Sequence, residues 1–114
     1  MFDALKNLGN LGDLLKNARS MQDKMKMLQE ELAHKQVSAD AGGGMVTAVV
    51  NGRLELVKVR IDKTKLVDPS DTDMLEDLIV AAVHAAQVKA TEVAKQEMQK
   101  LASEMGLPPG MLPG

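Results

Sequence analysis

The residues able to do chemistry are few. Two histidines, His34 and His84, stand in a sequence without cysteine. They fall in separate helical segments, with no HxxxH or HExxH spacing to bring two imidazoles onto one metal. No metal is expected, and the plain reading is a solvent-facing His34 and a His84 at the edge of an interface. Serine, histidine and aspartate all occur, but no GxSxG elbow sets a nucleophile on a strained turn. Gly42-Gly43-Gly44 lacks the Gly-Lys-Ser/Thr ending of a phosphate loop and leads into a strand, so no helix dipole would face an anion there. The carboxylates Asp71, Asp73, Glu76 and Asp77 cluster at the start of a helix. Capping and the helix dipole account for them in that place, whereas general acid catalysis needs a desolvated carboxyl. The sequence therefore reads as a non-enzyme, with no catalytic residue, no cofactor and no small-molecule substrate.

Cations are the remaining candidates, and helices must position them. From Asp13 to Lys35 the apolar residues Leu14, Ala18, Met21, Met25, Leu28 and Leu32 recur at steps of 4, 3, 4, 3 and 4, the rhythm of one helix face. Gly9 and Gly12 precede it, so residues 1–12 are expected to be a flexible lead-in. Val37 to Asp40 and the β-branched stretch Met45 to Val50 read as strands. Asn51-Gly52 predicts a tight hairpin turn with both residues at positive φ. Arg53 to Asp62 alternates, with Glu55, Lys58 and Arg60 on a wet face and Val57, Val59 and Ile61 on a dry one. Pro69 closes that segment, and Ser70 or Asp71 caps a second helix that should run to Met105 with Gly106 as its stop. Its first half, Met74 to Val88, is apolar on nearly every side and predicts burial against the sheet and a second surface. Its second half narrows to Ala90, Ala94, Met98, Leu101 and Met105 and reads as a projecting arm. Residues 107–114 form a Pro/Gly-rich tail. The domain spans 13–106, and its class is α+β: long helix, small antiparallel sheet, long helix.

Composition bounds the rest. A chain of 114 residues with 45% apolar and 26% charged residues is one small globular domain, and a partner subunit would enlarge its limited core. No segment reaches the roughly 18 apolar residues of a membrane span, so a cytoplasmic protein with no membrane partner is expected. The net charge of −2 is unevenly spread. Residues 1–36 and 37–69 each carry one base in excess, and residues 70–114 carry four acids in excess. One Phe and no Tyr or Trp leave nothing on which to stack unpaired bases, a contact worth roughly 1–3 kcal/mol per base in single-strand binders. A nucleic-acid target should therefore be duplex, held by phosphates and shape.

Several strings resemble the YbaB/EbfC family of bacterial nucleoid-associated proteins. They are Phe2-Asp3, the Met/Gln/Lys-rich run from Met21 to Leu32, Gly-Gly-Gly-Met-Val46 leading to Asn51-Gly52, Arg60-Ile-Asp62, and Asp73-Met-Leu-Glu-Asp-Leu-Ile-Val-Ala-Ala-Val83. The resemblance implies a tweezer-like homodimer of α-β-β-β-α chains, with a three-stranded antiparallel sheet and helical arms. It also implies binding of double-stranded DNA with little sequence preference, organisation of the nucleoid, and a part in transcription or in recombination and repair. On this reading Lys16, Arg19, Lys24, Lys26, Lys89, Lys95 and Lys100 are the DNA-binding candidates. Leu28, Leu32, Met74, Leu75, Leu78, Ile79 and Ala82 are the dimer-interface candidates. The rival reading is a helical dimeric protein-interaction module without direct DNA binding, docking a partner through Met21, Met25, Met27, Met98 and Met105.

Overall fold

The computed structural model describes the backbone of residues 2–106 and the side chains of residues 11–106. The element order is α1 (Phe2–His34), β1 (Gln36–Ala41), β2 (Val46–Asn51), β3 (Leu56–Ile61) and α2 (Thr72–Glu104), the expected α-β-β-β-α order. The chain divides into two compact units between Glu30 and Glu31. The first is the body of α1. The second holds its last turn, the sheet and α2. The expected tail at 107–114 lies outside the described residues.

The first helix starts at Phe2 rather than at Asp13 and passes through Gly9 and Gly12. A glycine inside a helix costs about 1 kcal/mol relative to Ala. Once a helix is nucleated, each further residue adds a hydrogen bond that offsets such a cost. The boundary expected from the glycines, from Asp13 as a possible cap and from the start of the apolar rhythm falls too late.

The sheet is a β1-β2-β3 meander with both pairs antiparallel. Register places Val37, Ala39 and Ala41 across from Val50, Ala48 and Val46, and Ala48 across from Val59, so these residues share one face. Ala39, Val46, Ala48 and Val50 form the core with Ala82, Ala86 and Ala90 of α2. Alanine at every fourth position leaves room for the helix to lie close on the sheet, against β1 and β2. The i+4 ridge continues through Ala94, Met98 and Ala102, drifting about 40° per step round the helix. The two halves of α2 therefore bury different sides. The second half is no bare arm, because Ala102 is buried and Lys35 Nζ donates to Glu97 Oε1 at 2.5 Å.

The first half of α2 is covered on one side only. Val80 is 68% exposed and Val88 53%, so the second surface expected to cover that half is not supplied by the chain itself. The dry face of β3 is likewise incomplete: Val57 is 48% exposed, because α2 lies over β1 and β2 and leaves β3 at the uncovered edge. Asp71 is the N-cap, its carboxylate accepting from Met74 N–H at 3.0 Å. At the other end Gly106, at φ 73°, donates to the Ser103 carbonyl and stops the helix.

The β2–β3 turn is wider than a two-residue hairpin. Asn51 N–H donates to the Glu55 carbonyl and Leu54 N–H to the Asn51 carbonyl, and Leu54, not Asn51 or Gly52, sits at positive φ (66°). The buried Asn51 side chain holds this loop, its Oδ1 accepting from Arg53 N–H at 2.9 Å and Glu55 N–H at 3.1 Å. A register irregularity at Val49/Val50 absorbs the extra length. Gly52 serves closeness instead of handedness. Its N–H donates to the carbonyls of Leu32 (2.8 Å) and Lys35 (2.9 Å), satisfying the end of α1.

Candidate nucleic-acid interface

On α1 the apolar positions Leu14, Ala18, Met21 and Met25 make one stripe at about 100° per residue. Lys16, Arg19 and Lys26 then fall within an arc of about 80° on the opposite side, and Lys24 lies on a flank. All four are exposed. Asp23 and Glu30 share the cationic arc, yet among the described residues no carboxylate lies within ion-pair distance of Lys16, Arg19, Lys24 or Lys26. These side chains are free to meet phosphates. The stripe behind them is also bare at its start, where Leu11 and Leu14 are half-exposed or more, and Leu15 is open between the two faces.

On α2 the three candidates do not form one surface. Lys89 and Lys100 are eleven residues apart, about 20° round the helix, while Lys95 is about 120° from Lys89 and about 140° from Lys100. Lys89 Nζ donates to the Ser38 carbonyl at the β1 edge, 3.1 Å away. Lys100 lies close enough to Glu97 to help the Lys35 hydrogen bond hold that carboxyl below the ordinary glutamate range. Sequence reasoning found these cations by type, but their partners depend on which strand edge lies beneath the helix.

The apolar candidates divide in the same way. Leu28, Leu32 and Ala82 are buried in the single chain, Leu32 against Gly52. Leu75, Leu78 and Ile79 are half-buried against the core cluster, and Met74 is half-buried near the start of α2. Leu54, Leu56, Val57, Ile61, Val67, Val80 and Val88 stay open on the second unit; Val57 and Ile61 of β3 and Val80 of α2 make a ledge beside the half-buried Val59 and Val83. Val80 and Val83 lie about 180° and 120° round α2 from Lys89, which marks the β1 side, so they face toward β3.

A further set of cations escaped the sequence reading. Lys58 and Arg60 project from β3 on the side away from α2, level with Val49 and Thr47, and Lys63 and Lys65 follow in the next turn. The signal was present in the excess of base over residues 37–69. Among the described residues no group of three His, Cys, Asp or Glu side chains gathers to hold a metal, and His34 and His84 are both exposed. No helix among the described residues is long and apolar enough to cross a membrane.

Comparison with known proteins bears on this surface of exposed cations around an aliphatic core. A nucleoid-associated protein of Syntrophobacter fumaroxidans is 50% identical over 100 residues, covering 88% of this chain and 90% of that protein. One from Acetivibrio thermocellus is 46% identical over 103 residues, covering 90% of each. Among solved structures, the uncharacterized protein HP0035 from Helicobacter pylori superimposes with a TM-score of 0.57 at 26% identity, covering 83% of this chain and 91% of that one. The model of the YbaB/EbfC DNA-binding family matches residues 7–105, which takes in both helices and the whole sheet. That family is defined by DNA binding and not by a catalysed reaction, and with nearly the full chain matched, this protein belongs to the YbaB/EbfC DNA-binding family.

Proposed function

We propose that the protein binds double-stranded DNA as a homodimer with little sequence preference and helps organise the bacterial nucleoid, where it influences transcription or recombination and repair. The observation that carries the reading is the pairing of bare apolar surface with unpaired cations on α1. Leu11 and Leu14 lie on or beside the stripe opposite Lys16, Arg19 and Lys26, with Leu15 between the two faces, so covering that stripe with a second copy leaves the cations outward. The Val57/Ile61/Val80 ledge is a second surface for the same partner. Duplex is favoured over single strands because the described side chains include no Phe, Tyr or Trp on which a base could stack. Grip on phosphates without base-edge contacts gives affinity with little sequence discrimination.

Fluorescence anisotropy with labelled duplexes of several sequences, at several salt concentrations and with sizing alongside, tests this. About six phosphate contacts per dimer give a slope of log K against log salt near −5, with similar affinities across sequences. A flat salt response would defeat the phosphate reading. A stable dimer with no duplex affinity would favour the protein-interaction module.

A further inference from the structure

Strand β3 alternates between a partly covered apolar face and an outer, cationic one. Antiparallel register sets Ser38, Val49 and Lys58 in one row across the sheet and Asp40, Thr47 and Arg60 in the next. Lys58 and Arg60 thus sit at the β3 edge of the face that α2 does not touch. The stretch from Arg53 to Lys65 has five bases and two acids within a chain whose net charge is −2.

Both acids are engaged. Glu55 accepts from the Asn51 amide and lies 3.8 Å from Arg53 Nε. Asp62 accepts from Thr64 N–H (3.0 Å) and Thr64 Oγ1 (2.6 Å), which turns its carboxylate into its own turn. Asp40, across the sheet from Arg60, is two strands away, about 9.6 Å at the usual strand spacing. Among the described residues, Lys58, Arg60, Lys63 and Lys65 have no carboxylate within ion-pair distance.

We propose that this outer face of β3 is a second contact surface for the phosphate backbone of duplex DNA, separate from the helical cations. Resting on the DNA-binding reading above, it adds where else the duplex touches. Side chains two residues apart on a strand are about 6.6 Å apart, which spans about two steps of the 3.4 Å per-strand charge spacing along a duplex. Lys58 and Arg60 therefore match phosphates two steps apart on one strand, and Lys63 follows in the adjoining turn. The sheet fixes the backbone spacing, so the ordering that contact requires is confined to the two side chains. The inner face of β3 keeps its apolar residues for the second copy, so the two contacts do not compete.

The test uses the full chain and a labelled random-sequence duplex. Replacing both cations, Lys58→Gln with Arg60→Gln, should lower the magnitude of the salt slope by about 2 for each chain in contact and weaken binding roughly 10- to 100-fold at 0.1 M salt. The exchange Lys58→Arg with Arg60→Lys should preserve the slope. In the unaltered protein, acetic anhydride should label Lys58 and Lys63 less when duplex is present, which keeps the test independent of how any variant folds. A double-Gln variant with wild-type slope, or undiminished labelling of Lys58 under saturating duplex, overturns the second surface and leaves the DNA-binding reading standing. Absence of any duplex affinity in the unaltered protein overturns both.

Discussion

Gly52 shows how one residue can be required for reasons its local sequence does not advertise. Asn-Gly ordinarily signals a tight turn, but here a Cβ on Gly52 would come within 2.8 Å of both the Leu32 carbonyl oxygen and Leu32 Cδ2. The carbonyl belongs to the end of α1 and cannot retreat without breaking the Gly52 N–H bond to it. Gly52→Ala should cost about 1–3 kcal/mol by overpacking, read as a lower urea midpoint at unchanged m-value. A midpoint equal to wild type would show that the turn yields. Glu97 carries a different prediction. Its hydrogen bond from Lys35, then the charge of Lys35, holds its carboxyl below the ordinary 4.5. A depressed folded-state value stabilises the fold above the unfolded-state value, and that contribution disappears as pH falls through the folded one. Wild type should therefore exceed Glu97→Gln in thermal stability at neutral pH, and the gap should close as pH drops below the ordinary glutamate range. Asp62 and Asp68 are lowered by hydrogen bonds from Thr64 and Ser70 and lose stability in the same direction on acidification. A gap that persists or widens in acid would contradict the assignment.

At the scale of elements, α2 shows what periodicity can and cannot reveal. Its start at Asp71, its end at Gly106 and its apolar first half were legible, because capping and burial pattern are local properties of the chain. Which side of that half meets the sheet was not legible, since Val80, Ala82 and Ala86 are equally apolar as sequence. The answer depends on alanine allowing a close approach that valine would block. Ala82, Ala86 and Ala90 are fully buried, while Val80 and Val88 remain outside. Ala86→Leu should accordingly push the helix off β1 and β2 and destabilise the chain by about 1–3 kcal/mol, whereas Val88→Leu on the open side should change stability by under about 0.5 kcal/mol. Calorimetric unfolding of the two variants compares them directly. The early start of α1 was missed for the opposite reason: local glycine signals were strong, and helix continuation overrode them. The cations of α1 were legible as a face because spacing alone sets their arc. Lys58 and Arg60 of β3 were legible as a wet strand face, but strand register was needed to show that this is the side α2 leaves open.

At the scale of the whole molecule, the uncovered ledge offers a way to separate folding from the proposed association. In a single chain Val57 is 48% exposed and Val80 68% exposed, so a charge at either position has little to disrupt within the protomer. In the proposed dimer both positions lose water to the second copy, and a carboxylate there would be buried without a partner at a cost of several kcal/mol. Val57→Glu with Val80→Glu should therefore shift the protein to monomer in sedimentation while its helix content by circular dichroism stays near that of wild type. Wild type should also show a midpoint of thermal unfolding that rises with protein concentration, a dependence the variant loses. Duplex affinity should fall with the dimer, because one copy offers half the phosphate contacts and each lost contact removes about 0.9 from the salt slope. Should the double variant remain a dimer, the second copy must sit elsewhere, with the Leu11/Leu14 stripe of α1 as the surface to charge next. Should it become monomeric yet keep the full wild-type slope, one chain alone would supply every phosphate contact, and association would have a purpose other than gathering charge.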